Sequence, residues 1–350
     1  MPNIDLTAAA ILAIPANEPE RLFASNASEA RAEYRRLALH WHPDRNADPQ
    51  AGNVTAHINR LYDIAQERIA TGTWRTPGLL EIRGVDGKLR RIRFRRRRPF
   101  ELGEMVYGDS VLVYLVRPEF SDLAENARSI LRSFRYHDAA MEKEISRCLP
   151  KLHECFKSGD GTSVMVMAKT ADMFLARDVL ETLGGGIDAR HVAWMTSAIY
   201  NIACYLGFAG LTHNAISADT CFISPQHHTG FLLGGWWYAE RSGARLSALP
   251  ALSHRYAPPD ILRTKRADCR LDLALVQAMA RELLGDITGM SLTARNAAPA
   301  PMVDFLRRPA SARASEEYRA WSQNILPASF GARRFVELSI SASDIYSTGD

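Results

Sequence analysis

The 350-residue sequence predicts a multi-domain protein in which an all-α helical hairpin is followed by an α+β domain with two lobes. Apolar side chains recur at helical spacing through the first 72 residues, whereas the chain from about residue 99 begins with strand-like runs and continues into helices. A strand-rich part followed by a helical part is typical of an α+β arrangement. A chain of this length can form two separate cores. We therefore expect domains at residues 1–72 and 99–350, joined by residues 73–98.

The composition is typical of a soluble globular protein, with 47% hydrophobic and 23% charged residues. The net charge of +4 is too small to imply a nucleic-acid partner by itself. The five cysteines are scattered and form no C-x-x-C pair, which argues against a metal site or a disulfide framework and favours a reducing compartment. The N-terminal segment lacks the basic region of a signal peptide, and no apolar run reaches the roughly 18 residues of a membrane span. We expect a cytoplasmic protein without a membrane partner.

Residues 26–42, NASEARAEYRRLALHWH, have the pattern of an amphipathic helix. Ser28 is the expected N-cap, because its hydroxyl can accept a hydrogen bond from a free amide of the first turn. Pro43 disfavours helical geometry at His42, so the helix should end there. The apolar stripe consists of Tyr34, Leu37 and Trp41. The arginines at positions 31, 35 and 36 are predicted on the solvated face.

A second helix is predicted from residue 53 to Gly72, which is a natural stop signal. The polar loop before it is short, so the two helices should pack antiparallel. The apolar segment at residues 7–15 should cover them. The apolar positions of the second helix are Ile58, Leu61, Tyr62, Ala65 and Ile69.

The stretches EYRRLALHWHPDRN, residues 33–46, and INRLYDIA, residues 58–65, resemble the J domain, by which DnaJ-type co-chaperones engage the DnaK-class heat-shock ATPase. The resemblance covers about residues 5–70. It implies a basic docking face and a loop that triggers ATP hydrolysis on the chaperone, with no catalytic residue in this chain. The docking face would consist of Tyr34, Arg35, Arg36 and His40, and the loop of His42, Pro43 and Asp44.

The residue types of the loop suit this interpretation. Pro43 fixes φ, Asp44 can pair with an arginine of the partner, and His42 can donate or accept a hydrogen bond. A helix-stop turn with a capping aspartate would explain the tripeptide alone, but the matching flanking helices favour the J domain. Thr55 stands where the family usually has a buried phenylalanine. Either the third helix packs less tightly, or another residue fills the space.

Residues 78–100, GLLEIRGVDGKLRRIRFRRRRPF, predict a β-hairpin, because Asp86-Gly87 separates two strand-like runs. Two interpretations stay open for its positive charge. It is either a solvated strand face that protects a sheet edge, or a contact surface for nucleic acid, an acidic partner or an anionic surface. Few aromatic residues interleave, which argues against a single-strand binding platform. The arginines are Arg90, Arg91, Arg93, Arg95, Arg96, Arg97 and Arg98.

Beyond residue 98 the predicted order is strands over residues 99–119, helices over 121–134 and 138–156, and a strand over 162–169. Four further helical segments follow, at residues 174–184, 189–210, 271–286 and 316–326. This order resembles a protein kinase fold over about residues 99–345. The landmarks are GLTHNAISADTCFI for the catalytic loop, GFLLGGWWYA for the metal-binding turn, YAPPDIL for the end of the activation segment, and DLALVQAMARELL for the large helix.

The resemblance also identifies which catalytic groups are missing. The expected G-x-G-x-x-G phosphate cradle is absent, and Glu144, the candidate for the helix glutamate, has no lysine to meet. We therefore expect a pseudokinase that binds or scaffolds, with no cofactor and no metal. The general base falls on Ala215, the loop lysine on Ser217, the metal-binding asparagine on Thr220, the Asp-Phe-Gly turn on Gly234-Gly235-Trp236, and the strand lysine on or near Val116.

Some family positions are retained, and they are structural. Residues 257–260, Ala-Pro-Pro-Asp, keep the activation-segment turn, and Asp272 stands where the family's helix aspartate ties down the catalytic-loop backbone. His213 is interpreted as a packing residue of the same scaffold. Asp219 is either a relocated base or a surface residue, and residues 227–228, His-His, are either a metal site or a solvated turn. The run 236–238, Trp-Trp-Tyr, either stacks on a ligand or fills the space of the missing metal site.

Two functions follow from these resemblances. The first is a J-domain co-chaperone whose pseudokinase domain selects an unknown client or a location for the heat-shock ATPase. The second is an atypical kinase with a rearranged site that recruits Asp219, Glu144 or Asp260. A weaker third function is a nucleic-acid-associated adaptor that acts through Arg90–Arg98.

Overall fold

The computed structural model describes residues 6–72, 74 and 78–346. The chain divides into two compact units. The N-terminal unit comprises residues 1–96 with 346–350, and the C-terminal unit comprises residues 97–345. Helices and antiparallel sheets make up the described residues, which confirms the α+β class and the multi-domain organisation at that coarse level. Of the predicted linker, residues 73 and 75–77 lie outside the described residues.

Three helices form the first part of the N-terminal unit: α1 (Ala8–Leu12), α2 (Ala27–His40) and α3 (Ala51–Ala70). The prediction of Ser28 as the cap of α2 is wrong. Asn26 is the N-cap, and its side chain accepts from the Glu29 amide at 2.9 Å. Asn26 and Ser28 have the same capping chemistry, and the chain enters the helix two residues earlier than expected. The helix ends at His40, as the proline after His42 predicts.

The core of this unit lies between α2 and α3, with α1 covering them. The predicted stripe of α3 is buried at Ile58, Leu61, Tyr62 and Ala65, and Ile69 is partly buried. From α2, Leu37 and Trp41 join the same cluster. Burial of such side chains contributes roughly 1.5–3 kcal/mol each, so the apolar stripe is sufficient to hold the helices together.

A hairpin of β1 (Leu79–Arg83) and β2 (Leu89–Arg93) follows, as predicted. Gly87 supplies the positive φ of 78° that the turn requires. Leu80 lies opposite Ile92, and Leu80 and Ile82 are buried on one face. The other face carries Glu81, Arg83, Arg91 and Arg93, all exposed.

The C-terminal unit begins with a five-stranded sheet in the order β3-β4-β5-β7-β6. The strands are β3 (Arg96–Phe100), β4 (Gly103–Tyr107), β5 (Val111–Val116), β6 (Leu152–Lys157) and β7 (Ser163–Ala168). The first residue of β3, Arg96, belongs to the N-terminal unit. Strand β6 corrects the predicted helix over 138–156, which is helical only at α5 (Ala139–Ile145) and the short 3-10 turn Ser146–Cys148. Pro150 separates the turn from the strand, and the apolar strand β7 supplies the hydrogen-bonding partner.

Helix α4 (Ser121–Arg132) crosses between β5 and β6 in the chain, and α6 (Ala176–Thr182) follows the short strand β8 (Phe174–Leu175). The long helices α7 (Ala189–Ala209) and α10 (Cys269–Leu283) pack against each other and form the centre of the helical part. Between them lie β9 (Leu211–Thr212), β10 (Cys221–Ser224), β11 (Thr229–Leu232) and β12 (Glu240–Arg241).

The remaining helices are α8 (Ala251–Tyr256), α9 (Pro259–Thr264), α11 (Ala300–Arg307), α12 (Ala314–Arg319), α13 (Leu326–Phe330) and α14 (Ala342–Tyr346), with a π-helical turn at Ala320–Ile325. Of these, α8, α11 and α12 pack against α10, and α12 also packs against α7. The last residue of α14, Tyr346, belongs to the N-terminal unit.

Helix α7 corrects the expectation that no apolar run reaches the length of a membrane span. Its 21 residues include an 18-residue window with a mean hydropathy of 1.2, which meets that length and composition. Of this window, 61% is buried inside the structure, where α7 packs against α10, α12 and β11. A buried core helix meets the same criteria, so this apolar content is explained by packing.

Candidate functional site

The loop between α2 and α3 holds His42, Pro43 and Asp44 at the surface. The His42 carbonyl accepts from the amides of Arg45 and Asn46, both at 2.9 Å, which closes a compact turn. The Asn46 side-chain amide donates to the His40 carbonyl at 3.0 Å, so the turn is also tied to the end of α2. The loop therefore has a defined shape although its side chains are exposed.

Within this turn, the Asp44 amide donates to Nδ1 of His42 at 3.2 Å. Since Nδ1 accepts, the neutral ring carries its proton on Nε2. The Asp44 carboxylate lies 3.8 Å from Nδ1, and the side chains of His42 and Asp44 are 52% and 88% exposed. The turn thus presents an imidazole and a carboxylate side by side to an external partner.

Thr55, the departure from the family pattern, has a clear structural role. Its hydroxyl donates to the Trp41 carbonyl at 2.6 Å, which joins the start of α3 to the C-cap of α2. Trp41 itself is buried in the helical core.

The exposed side of α2 is basic. Arg35 and Arg36 point to solvent, and within the described part of the chain neither forms an ion pair or a side-chain hydrogen bond. Leu39 is 58% exposed beside them, and the exposed His40 ring meets Trp41 edge-on at 5.4 Å. This side of α2 combines free positive charge with an exposed apolar side chain.

Tyr34 has different surroundings from the arginines of the predicted docking face. Its ring stacks on Tyr62 at 4.1 Å, with 10° between the planes, and its hydroxyl donates to Asn59 at 3.0 Å. Tyr34 therefore lies at the α2–α3 interface, with one edge at the surface. Its contacts position α2 on α3.

In the C-terminal unit, the loop after β9 is anchored by a buried carboxylate. Asp272 of α10 accepts from the amides of His213 and Asn214, at 2.8 and 2.7 Å. His213 lies 2.8 Å from the Gly234 carbonyl through Nε2 and accepts from the Ala215 amide through Nδ1. Burial lowers the pKa of His213 to about 3. Burial raises the pKa of Asp272 to about 7, against the opposing effect of its two amide donors.

Three aromatic side chains contact each other beside Gly234, whose carbonyl lies next to His213 of this loop. We call Phe100, Tyr114 and Trp237 the aromatic plug. The Tyr114 ring lies 5.5 Å from Phe100 and 4.8 Å from Trp237, and Tyr114 and Trp237 are both buried. A Cβ on Gly234 would lie 2.5 Å from the Tyr114 hydroxyl, so no side chain fits at Gly234 without displacing the plug. Burial raises the pKa of Tyr114, which stays a neutral phenol.

The sequence prediction placed the family's strand lysine on or near Val116, and in the structure Val116 is a buried residue of β5. Tyr114 lies on the same face of β5, because strand side chains alternate, and its hydroxyl lies beside Gly234. The sequence analysis did not identify Tyr114, because Gly234 is distant from it in the chain.

The three carboxylates considered for a rearranged site have other partners. Both side-chain oxygens of Asp219 accept from Arg177, at 2.9 and 2.8 Å, and the same guanidinium donates to Glu282 at 2.6 Å. Asp260 pairs with Arg270 at 2.6 Å, and the exposed Glu144 pairs with Arg147 at 2.9 Å. These carboxylates belong to three separate ion pairs.

Helix α4 packs on the turn that follows Gly235 instead of presenting an acid to it. The side-chain amide of Asn126 donates to the carbonyls of Trp237 and Ala239, at 3.2 and 2.9 Å. The Trp236 indole donates to the Leu232 carbonyl at 2.9 Å. The Trp-Trp-Tyr run is buried throughout, which agrees with its interpretation as filling.

Four of the arginines predicted to give the hairpin region its charge are engaged in ion pairs. Arg90 pairs with Asp86 at 2.7 Å and Arg91 with Glu81 at 2.6 Å. Arg97 lies 3.4 Å from Glu104. Arg98 donates to Asp178 at 2.7 Å and also binds Glu181, while Tyr107 donates to the same Asp178, which is fully buried.

The histidine pair at the β10–β11 turn is separated in the structure. His228 stacks between Trp194, at 4.6 Å, and Phe335, at 4.2 Å. His227 is largely exposed, and its Nε2 lies 3.9 Å from a carboxylate oxygen of Asp172. Among the residues that the structure describes, no group of three histidine, cysteine or acidic side chains has a metal-binding arrangement.

Comparison with known proteins gives a local similarity. No protein-family profile matches the chain. The pre-mRNA-splicing factor CWC23 of Eremothecium gossypii is 36% identical over 66 residues. This match covers 19% of the present chain and 24% of the length of that protein.

Proposed function

We propose that the chain is a J-domain co-chaperone that docks on a DnaK-class heat-shock ATPase and stimulates its ATP hydrolysis. The observation that carries the proposal is the exposed His42-Pro43-Asp44 turn, held between two antiparallel helices. A trigger for another protein's hydrolysis must be accessible, and it must keep its shape without a partner. The hydrogen bonds of the turn and the exposure of its side chains meet both needs.

The free positive charge of α2 supports the same proposal. Arg35 and Arg36 have no ion pair within the described residues, so an acidic face of a partner would gain their full attraction. The local match to the pre-mRNA-splicing factor CWC23, 36% identical over 66 residues, supports a module shared with that protein. The match covers about a quarter of that protein, and we propose no role in splicing.

For the C-terminal unit we propose a kinase-like domain that binds a client or a scaffold and transfers no phosphate. The sheet order β3-β4-β5-β7-β6 and the anchoring of His213 and Asn214 by Asp272 support the kinase-like part of the proposal. The loss of catalysis is supported by the aromatic plug at Gly234, because the Tyr114 hydroxyl occupies the space that a metal-binding carboxylate would need.

The competing function is an atypical kinase that recruits Asp219, Glu144 or Asp260. Each of these carboxylates would first have to leave its arginine. Melting temperature with millimolar magnesium–ATP tests this function, because a ligand that binds the folded state alone raises it. We expect no shift. A magnesium-dependent rise, together with phosphate transfer to any substrate, would favour the kinase.

The main experiment measures the ATPase rate of a DnaK-class chaperone with and without the full chain. We expect the wild type to stimulate it and His42→Gln to abolish the stimulation, because the amide cannot reproduce the ring geometry of the turn. His137→Gln is the matched control: its ring is also exposed, at 76%, and it lies in the C-terminal unit. Equal stimulation by the wild type and His42→Gln would contradict the proposal.

A further inference from the structure

A surface cavity of ≈ 610 Å³ lies between the segment that follows β12 and helices α8 and α9 of the C-terminal unit. It is separate from the aromatic plug and shares no residue with it. Its volume corresponds to a site for a few side chains. The lining residues are Arg245, Leu246, Ser247, Ala248, Leu249, His254, Ile261, Leu262 and Lys265.

The ionisable side chains that line this cavity are all basic. Arg245, His254 and Lys265 are exposed and form no ion pair or side-chain hydrogen bond with any residue that the structure describes. No acidic residue belongs to the lining. The remaining polar side chain, Ser247, donates its hydroxyl to Glu240 outside the lining. An anionic ligand would therefore meet two unneutralised cations and an imidazole.

The floor of the cavity is apolar, and its backbone is fixed. The Leu246 amide donates to the Lys265 carbonyl at 2.8 Å, and the Ala267 amide to the Ala244 carbonyl at 2.8 Å, so the two walls are joined by backbone hydrogen bonds. Lys265 has a φ of 52° and forms the C-cap of α9, which sets the direction of its side chain. The site is formed before any ligand arrives.

Three backbone amides of the lining are also unpaired. Within the described residues, the amides of Ser247, Ala248 and Leu249 donate no hydrogen bond, although the neighbouring Leu246 amide is paired. The carbonyl groups of a bound peptide can accept from free amides, which adds backbone hydrogen bonds to the side-chain contacts. The lining has no phenylalanine, tyrosine or tryptophan ring on which a nucleic-acid base could stack.

We propose that this cavity binds an extended acidic peptide segment of a client protein, with carboxylates on Arg245 and Lys265 and an apolar side chain on Leu249 and Ile261. This inference names the kind of client segment that the proposed client-binding role requires. Only its biological role rests on that proposed function. Peptide binding is measured without the heat-shock ATPase, so the two proposals fail separately. The His42→Gln variant should bind the peptide as the wild type does.

The test uses fluorescence anisotropy of the full chain with a labelled decapeptide that alternates glutamate and leucine. We expect Arg245→Glu and Lys265→Asn each to weaken binding about tenfold, and added salt to weaken wild-type binding. Asparagine tolerates the left-handed backbone of Lys265, so the second variant keeps the fold. Arg190→Glu, another exposed arginine of the same unit, is the control and should bind normally.

Two further probes define the ligand class. A lysine–leucine decapeptide should not bind, and a glutamate–serine decapeptide should bind more weakly because it leaves the apolar floor uncovered. Equal affinity for the glutamate–leucine probe in the wild type and in both cavity variants would overturn the proposal. So would displacement of the probe by single-stranded RNA at lower concentration than by the unlabelled peptide, which would assign the site to nucleic acid.

Discussion

Helix α2 and the stretch from Arg90 to Arg98 both carry runs of arginine, and their guanidinium groups have different surroundings. In α2, Arg35 and Arg36 are exposed and unpaired within the described part of the chain. In the second stretch, Arg90, Arg91, Arg97 and Arg98 lie in ion pairs, and Asp178, the partner of Arg98, is buried. Local density of arginine is therefore a poor guide to available charge, because the neutralising acid can be distant in sequence.

This difference assigns the two stretches different roles. An exposed, unpaired arginine contributes little to folding and is free to meet a partner, whereas a buried pair fixes one element on another. The hairpin region therefore offers less free charge to nucleic acid than its sequence indicates. The experiments below compare arginine side chains that differ in burial and in ion pairing.

The largest effect on stability is expected for Arg98→Met. The change leaves the fully buried Asp178 without its guanidinium, although Tyr107 still donates to it. Loss of one partner of a buried ion pair should lower the free energy of unfolding by roughly 3 kcal/mol. Urea unfolding of the purified chain measures it.

Its control is the double variant Arg98→Met with Asp178→Asn, which removes the buried charge together with its partner. We expect the double variant to be more stable than Arg98→Met alone. Two variants of equal stability would mean that Asp178 is not an ionised partner of Arg98. The contrast between paired and unpaired arginines would then no longer be supported by the Arg98 ion pair.

The second effect concerns the unpaired arginines. Arg35→Ala with Arg36→Ala should change the free energy of unfolding by no more than about 0.5 kcal/mol, because neither side chain has a partner in the described structure. The same variant should need about tenfold more protein to reach half-maximal stimulation of the heat-shock ATPase. A stability loss comparable to that of Arg98→Met would contradict the assignment of these arginines to docking.

The sequence predicted what depends on neighbouring residues. The helices α2 and α3 follow from apolar spacing, and their ends follow from Pro43 and Gly72. The exposed His42-Pro43-Asp44 turn follows from the same signals. The cap at Asn26 was missed because Asn26 and Ser28 satisfy the same rule, and only the path of the chain selects one of them.

What the sequence did not predict depends on distant pairs. Arg98 and Asp178 are 80 positions apart, and Tyr114 meets Gly234 only when β5 and the turn after β11 have their folded register. No local pattern distinguishes a paired arginine from a free one. Strand β6 was missed for a different reason: its partner β7 is close in the chain, and the predicted helix over 138–156 was extended across Pro150.

A third effect concerns the dependence of stability on pH, which is set by the buried side chains of His213 and Asp272. The folded pKa of His213 is about 3 against an unfolded value of 6.5, so its contribution to stability is lost as pH falls from 6.5 toward 3. The folded pKa of Asp272 is about 7 against 3.8, so its contribution grows as pH falls from 7 toward 3.8. Between pH 6.5 and 3.8 the two contributions offset each other in the wild type.

His213→Gln removes one of these two contributions. We expect the stability of the variant relative to the wild type to rise as pH falls from 6.5 to 3.8, by up to roughly 1.4 kcal/mol per pH unit. Urea unfolding of both proteins across this interval measures the difference in slope, whatever the cost of the substitution at neutral pH. Parallel stability curves would mean that His213 titrates alike in the folded and unfolded chain.

Among the variants that break an ion pair, the smallest loss of stability is expected for Arg91→Ala. Arg91 lies 2.6 Å from Glu81 across the hairpin, so its pairing distance resembles that of Arg98, but the two side chains are 66% and 44% exposed. Water and salt screen such a pair, and its loss should cost no more than about 1 kcal/mol. Urea unfolding at low and high salt tests this, and the small loss should shrink as salt rises. A loss as large as that of Arg98→Met would mean that pairing alone, without burial, decides what an arginine contributes to this fold.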